Sequence, residues 1–206
     1  GPIERGHRLL PLLRSWPKVK QDDIAEGVYL FIQGMFKKMA LADYFALYAD
    51  KIFGNPMQYT SGDLIAGALA FTWQIYFDFS GYSDMAIGLG LMFGFVFAKN
   101  FDSPYRSASI TEFWQRWHIS LSTWLREYLY IPLGGNRKSS LRTAINLAIV
   151  MLLGGLWHGA SWNFVIWGAI HGVLLGSERL FGKKPFYATL PKGFRVAVTF
   201  VLVLIA

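Results

Sequence analysis

The sequence contains no cysteine and few charged residues. Asp, Glu, Lys and Arg make up only 16% of its 206 residues, against about 25% in an ordinary soluble domain. The absence of cysteine excludes a thiol nucleophile, a zinc–thiolate site and an iron–sulfur cluster. A hydrophobic fraction of 53% and a mean hydropathy of +0.32 exclude a disordered chain and a disulfide scaffold, and argue against a soluble enzyme.

Acidic residues are in the minority, with 13 against 20 basic residues. In a chain this apolar, the basic excess indicates cytoplasmic loops and contact with anionic lipid headgroups. The basic runs do not resemble a compact nucleic-acid-binding module, so we predict no nucleic-acid partner. The sequence also lacks a Walker loop, a Rossmann glycine pattern and the HExxH and GxSxG motifs. We predict no metal site.

The two ends of the chain are atypical of a complete protein. It starts with Gly1-Pro2-Ile3, without an initiator Met or a secretory signal pattern. The apolar run at 195–206 is shorter than the about 20 residues that cross a bilayer. We therefore expect residues 1–206 to form a single membrane domain that is truncated at both ends.

The apolar segments indicate an all-α, polytopic membrane protein. The range 143–176 contains no Lys, Arg, Asp or Glu and has basic segments on both sides. This pattern predicts a helical hairpin that enters and leaves on the cytoplasmic side, with its turn near 158–161. The apolar range 64–98 is too long for one helix across a hydrocarbon core of about 30 Å. We expect it to break at 78–84, either lining a cavity or meeting water.

His118 lies in a segment with a strong helix signal. Ser109 and Glu112 have the spacing of a capping box, which predicts a helix that begins after Ser109. With 100° per residue, the apolar side chains from Phe113 to Tyr128 share one arc, and His118 projects from it. The imidazole could be a core group bonded to a backbone carbonyl, or a functional group on the buried side.

His158 lies at the predicted tip of the uncharged hairpin. An ionisable residue at membrane depth is a candidate functional group, and a neutral imidazole can accept a proton from a hydroxyl. The alternative is a histidine bonded between the two helices. We expect His171 to be structural and His7, within a basic segment, to be solvated.

Five further residues are candidates for binding a donor substrate. Asn136 and Arg137 lie in a Gly-rich turn that could meet phosphates or could simply be a turn. Three residues beside the two histidines complete the set: Arg116, Trp117 and Trp157.

Two long motifs around the histidines closely resemble the membrane-bound O-acyltransferase family. They are the runs at 110–137 and 152–162. Shorter similarities occur at 34–43 and 78–84, so the resemblance covers essentially the whole chain. Within the family, the motifs are most similar to the branch that acetylates alginate.

The resemblance implies a helical bundle around a central funnel in the bacterial inner membrane. It implies transfer of an acetyl group from acetyl-CoA or an acyl carrier thioester to an exported polysaccharide, directly or through extracytoplasmic partner proteins. His158 matches the family's proposed base and His118 its other signature histidine; no tightly bound cofactor is implied. An acyl-group conduit, whose partner performs the transfer, and a scaffold in an envelope assembly stay open as alternatives.

Overall fold

The computed structural model describes residues 2–15, 17–182 and 184–206, and in these residues all regular structure is helical. The prediction of an all-α fold is confirmed for this part of the chain. The chain divides into two compact units, Gly1–Asn100 and Phe101–Ala206. Each unit is described below by itself.

The described residues of the first unit, 2–15 and 17–100, form four α-helices and a π-helical turn. Their bounds are α1 Gly6–Arg14, α2 Gln21–Phe36, the π-helical turn Lys37–Ala42, α3 Asp43–Phe53 and α4 Ser61–Met92. A short 3₁₀ turn, Pro56–Gln58, precedes α4. The π turn continues α2 directly into α3, so the two lysines at its start remain helical.

The expected break at 78–84 is wrong, because α4 is one continuous helix of 32 residues, about 48 Å long. A capping box begins it, in which the Thr60 N–H donates to Asp63 Oδ2 at 3.0 Å. The two acids that suggested a break are paired with lysines of the π turn. Asp84 accepts from Lys37 Nζ at 2.5 Å, and Asp78 pairs with Lys38. Ion pairing lets the helix carry these charges without unwinding.

The second unit contains the histidine motifs. It consists of the 3₁₀ turn Pro104–Arg106, α5 Ile110–Arg116, α6 Ile119–Leu125, a π-helical turn Arg126–Tyr130, α7 Ser140–His158, α8 Trp162–Leu180 and α9 Lys192–Ile205. A small buried core lies between α5, α7 and α8 and contains Ile110, Met151 and Leu175. The predicted helical hairpin is confirmed as α7 and α8, with its turn at 159–161, while its entry and exit on the cytoplasmic side stay a prediction.

The helix predicted after Ser109 begins as expected but does not continue through the motif. The Ser109 hydroxyl accepts from the Glu112 N–H at 3.0 Å and caps α5. The helix ends at Arg116, whose carbonyl accepts from the Asp102 N–H at 2.9 Å. His118 then has a left-handed backbone with φ 42°. The single apolar arc from Phe113 to Tyr128 is therefore wrong, since a nearby loop competes for the backbone of α5.

Candidate active site

His158 is the last residue of α7, at the tip of the hairpin. Two aromatic residues of α8 lie beside its ring. The centroid of Trp167 is 5.3 Å away and nearly perpendicular to it, and Phe164 is stacked at 6.0 Å. The histidine is exposed in the described part of the chain. It is therefore held by aromatic packing and remains accessible to a reactant.

His118 forms the sharp turn between α5 and α6. Its side chain is only 3% exposed, and its ring centroid lies 6.2 Å from that of Trp157. Burial and, less strongly, the nearby His158 lower the pKa of His118 to about 4. The imidazole is consequently neutral at pH 7. His is among the residues that tolerate a left-handed backbone, which explains how a histidine can sit at this turn.

His171 is buried on α8 and is engaged by α5. The Trp114 Nε1–H donates to His171 Nδ1 at 3.3 Å, so the proton of the neutral ring is on Nε2. Phe113 is stacked at 6.3 Å, and Trp167 lies 5.0 Å away. These contacts agree with the structural role predicted for His171.

Aromatic rings connect the three histidines. Trp157 contacts both His118 and His158, while Trp167 contacts both His158 and His171. Histidines that lie 40 and 13 positions apart in the sequence thus belong to one cluster. We call it the histidine–tryptophan cluster, and its members are His118, Trp157, His158, Trp167, His171 and Trp114.

The predicted donor-binding residues do not all come together. Trp157 belongs to the cluster and is 59% exposed. Trp117 lies outside the cluster and packs against Phe101 at 5.1 Å and against Phe113 at 5.5 Å. Arg116 Nη2 pairs with Glu112 Oε1 at 2.8 Å.

The turn at 131–137 forms as predicted and is fixed from α7. Asn146 is fully buried, and its side-chain N–H groups donate to the carbonyls of Leu133 and Gly135 at 3.2 and 3.1 Å. Asn136 and Arg137 are both exposed on this turn. Asn136 lines a cavity of about 620 Å³ beside α5 and α8.

That cavity has a polar wall that contains charges of both signs. Its polar lining includes Thr111, Gln115, Ser122, Thr123, Arg126, Tyr130, Asn136, Glu178 and Arg179. A second cavity, of about 600 Å³, is lined by Arg106, Arg116 and Lys192 together with the acids Asp102 and Glu112. Arg116 and Asn136 therefore line different cavities, and each cavity has both basic and acidic residues in its wall.

Two further features of the described residues concern a membrane span and a metal site. Among the described residues, one helix, Ser140–His158, is long and apolar enough to cross a membrane, judged by length and composition. Within the same residues, the structure contains no group of three His, Asp or Glu side chains arranged to hold a metal ion.

Sequence reasoning missed two residues of this region, Trp167 and Glu178. Trp167 was one of several tryptophans near the histidines, and the helical spacing of Trp167 and His171 could have placed it on their face. Glu178 is the single acid in the basic range 177–195. An isolated acid in such a range was the available signal, because it requires a partner if it is buried.

The chain belongs to the membrane-bound O-acyltransferase family, whose sequence profile matches residues 12–189. It is 58% identical over 187 residues to the probable alginate O-acetylase AlgI of Pseudomonas fluorescens, covering 88% of this chain and 36% of the relative. It is 43% identical over 204 residues to the peptidoglycan O-acetyltransferase of Helicobacter pylori, covering 97% and 39%.

A third relative transfers a different acyl group. The teichoic acid D-alanyltransferase of Bacillus subtilis is 29% identical over 201 residues, covering 89% of this chain and 49% of the relative. The chain thus spans about a third to a half of the length of these relatives. The resemblance predicted from the histidine motifs is confirmed.

Proposed function

We propose that this chain is the catalytic part of a polytopic O-acetyltransferase of the bacterial inner membrane. It moves an acetyl group from a cytoplasmic thioester, acetyl-CoA or an acyl carrier, to a hydroxyl of an exported polysaccharide such as alginate. The transfer is direct or passes through an extracytoplasmic partner protein. The names of the three relatives support acyl transfer as the common reaction class.

The observation that carries the proposal is the meeting of two imidazoles on Trp157. His158 is accessible and its ring packs against aromatic side chains, while His118 is buried and neutral. A neutral imidazole near an apolar wall can take a proton from a hydroxyl, as acyl transfer requires.

In the proposed reaction, the acceptor hydroxyl attacks the thioester carbonyl while His158 takes the hydroxyl proton. The new C–O bond forms the ester, and the C–S bond breaks. The imidazolium then returns its proton to the departing thiolate, so the products are an O-acetyl ester and a free thiol. His118 shapes the donor side of the site through Trp157.

The donor's negative groups are proposed to contact the turn at 131–137. Asn136 and Arg137 lie on this turn, and Arg126 and Arg179 line the same cavity as Asn136. Guanidinium groups bind phosphate oxygens well because they offer several donors in a plane. Arg116, Trp117 and Trp157 complete the proposed donor side.

His158→Ala tests the proposal most directly. We expect it to abolish acetylation of exported polymer, measured as its ester content, while the protein still accumulates in the membrane. The matched control is His7→Ala, which removes an exposed histidine of α1 and should leave acetylation unchanged. Normal ester content in His158→Ala would contradict the proposed mechanism.

A break at 78–84 would have suited the alternative of an acyl-group conduit, but α4 is continuous there. Purified full-length protein, labelled acetyl-CoA and a hydroxyl acceptor, without partner proteins, distinguish the two functions. Labelled ester in the acceptor supports an enzyme. Movement of the donor without ester formation supports a conduit, and full activity of both His118 and His158 variants would support a scaffold.

A further inference from the structure

Glu178 is a buried carboxylate that accepts three hydrogen bonds from the first two residues of α5. It lies near the end of α8 and is 4% exposed. Its Oε1 accepts from the Ile110 N–H at 2.8 Å, and its Oε2 accepts from the Thr111 N–H at 3.0 Å and the Thr111 hydroxyl at 2.7 Å. Both oxygens of the side chain are therefore used to hold the start of α5.

These bonds supply what a short helix lacks. The first N–H groups of an α-helix have no partner inside the helix, and a carboxylate is a strong acceptor for them. With only seven residues, α5 is too short to be stable by itself. Its position is set by external contacts, and Glu178 supplies three of them.

The face of α8 that carries Glu178 also contacts Trp114 and His158 of the histidine–tryptophan cluster. Trp167, His171 and Glu178 are separated by four and seven residues, which places them on one side of the helix. His171 accepts from Trp114 in the middle of α5, and Trp167 contacts His158. α5 then leads, through Trp117, to His118.

We propose that Glu178 is a positioning residue for acyl transfer, because by fixing α5 on α8 it sets His118 relative to His158 across Trp157. This inference rests on the proposed function. Glu178 is not a catalytic residue in this arrangement, since its oxygens are already bonded to the backbone and hydroxyl of α5. Small misplacements of a catalytic constellation have large effects on rate, about 100-fold for 1 Å.

Glu178→Gln is the decisive substitution. The amide keeps the size of the side chain but replaces one acceptor oxygen with an NH₂ group that opposes the donors of α5. In the full-length protein, we expect kcat for acetyl transfer to fall by about 10- to 100-fold, with the KM for the donor changed by less than about twofold. Amide hydrogen exchange in a peptide covering 109–116 should become at least about tenfold faster.

A pair of variants at Thr111 tests the same contact more gently. Thr111→Val keeps the shape but removes the hydroxyl donor, so kcat should fall by about three- to tenfold. Thr111→Ser keeps the donor and should transfer acetyl at nearly the wild-type rate. This pair decides the question if Glu178→Gln does not accumulate in the membrane. Glu26→Gln, at an exposed glutamate of α2, is the matched control.

Each result separates the inference from the proposed function. Wild-type transfer that is lost in His158→Ala establishes the reaction, and the Glu178 variant is then compared with the wild type. Faster exchange in α5 with an unchanged kcat, or a raised donor KM with an unchanged kcat, would overturn the positioning role. Unchanged exchange would also overturn it. If the wild type transfers no acetyl group, the proposed function itself fails.

Discussion

Two antiparallel helix pairs, α2–α4 and α7–α8, both pack through glycine, but they use different spacings. In the first pair, Gly27 faces Gly88 and Gly34 faces Gly81, so the contacts recur after seven residues. A Cβ atom built at Gly34 would lie 2.4 Å from the Gly81 carbonyl oxygen, and one at Gly88 would lie 2.4 Å from that of Gly27. Side chains larger than hydrogen do not fit there.

In the second pair, the contacts recur every four residues along α8. Gly168, Gly172 and Gly176 face Met151, Ala148 and Ala144 of α7. A Cβ at Gly168 would lie 2.4 Å from the Met151 carbonyl oxygen. Small residues at this spacing are typical of close helix packing in membranes.

The difference lies in what accompanies the glycines. α4 forms two ion pairs with the π turn that follows α2, whereas α7 and α8 present imidazoles and indoles at their turn. Ion pairs fix charges that would otherwise be costly in an apolar setting. Neutral imidazoles keep a proton-accepting group available. Under the proposed function, the first unit serves as a scaffold and the second carries the reacting histidines.

The largest expected effect is a loss of stability when the close packing of either helix pair is disrupted. Gly34→Ala and Gly168→Ala each place a methyl group against a backbone oxygen, and we expect each to destabilise the protein by at least about 2 kcal/mol. Thermal unfolding in detergent measures this. Gly168→Ala should also reduce transfer per folded molecule, because it displaces Trp167, while Gly34→Ala should not.

The control for both variants is Gly193→Ala, where an added Cβ meets nothing within 4 Å. It should unfold at the wild-type temperature. Equal losses of transfer per folded molecule in the Gly34 and Gly168 variants would break the distinction between scaffold and chemistry.

An intermediate effect is expected at the ion pair of the first unit. Lys37 and Asp84 are 22% and 23% exposed, so Lys37→Met leaves a carboxylate largely removed from water. We expect a destabilisation of about 1–2 kcal/mol. The exchanged pair, Lys37→Asp with Asp84→Lys, should recover most of it. Failure of the exchange to recover stability would mean that the charges do not stabilise the helix pair.

Local sequence signals predicted two features of the second unit, the α7–α8 hairpin and the start of α5. The uncharged range 143–176 located the α7–α8 hairpin and its turn. A long stretch without charged residues can be recognised in the sequence without knowing which residues it contacts in the fold. The Ser109–Glu112 spacing located the start of α5, because a helix cap is a local interaction between residues three positions apart.

Features that depend on distant partners were not predictable. The Asp, Ser and Gly residues at 78–84 resemble a helix break, but lysines 40 and 47 residues earlier pair with the two acids. Helical periodicity does not detect a single left-handed residue, so the end of α5 at Arg116 was missed. Glu178 contacts Ile110 across 68 positions. Within the candidate site, the sequence identified the two histidines but not the residues of α8 that surround them.

The smallest predicted effect concerns His118 and pH. A neutral imidazole with a pKa of about 4 in the folded protein, against about 6.5 in the unfolded chain, contributes stability that is fully present above pH 6.5. This stability is lost as the pH falls from 6.5 towards 4, because the unfolded chain binds the proton more readily. At pH 5.5 we expect a loss of about 1 kcal/mol relative to pH 7.5.

The control is His118→Asn, which should lack this loss, since Asn tolerates the left-handed backbone and does not titrate. Unfolding temperatures of both proteins at the two pH values measure it, and parallel losses in both would show that other groups dominate the acid response. A loss specific to the wild type would sharpen the comparison, because it would place an acid-sensitive group in the unit that carries the proposed chemistry.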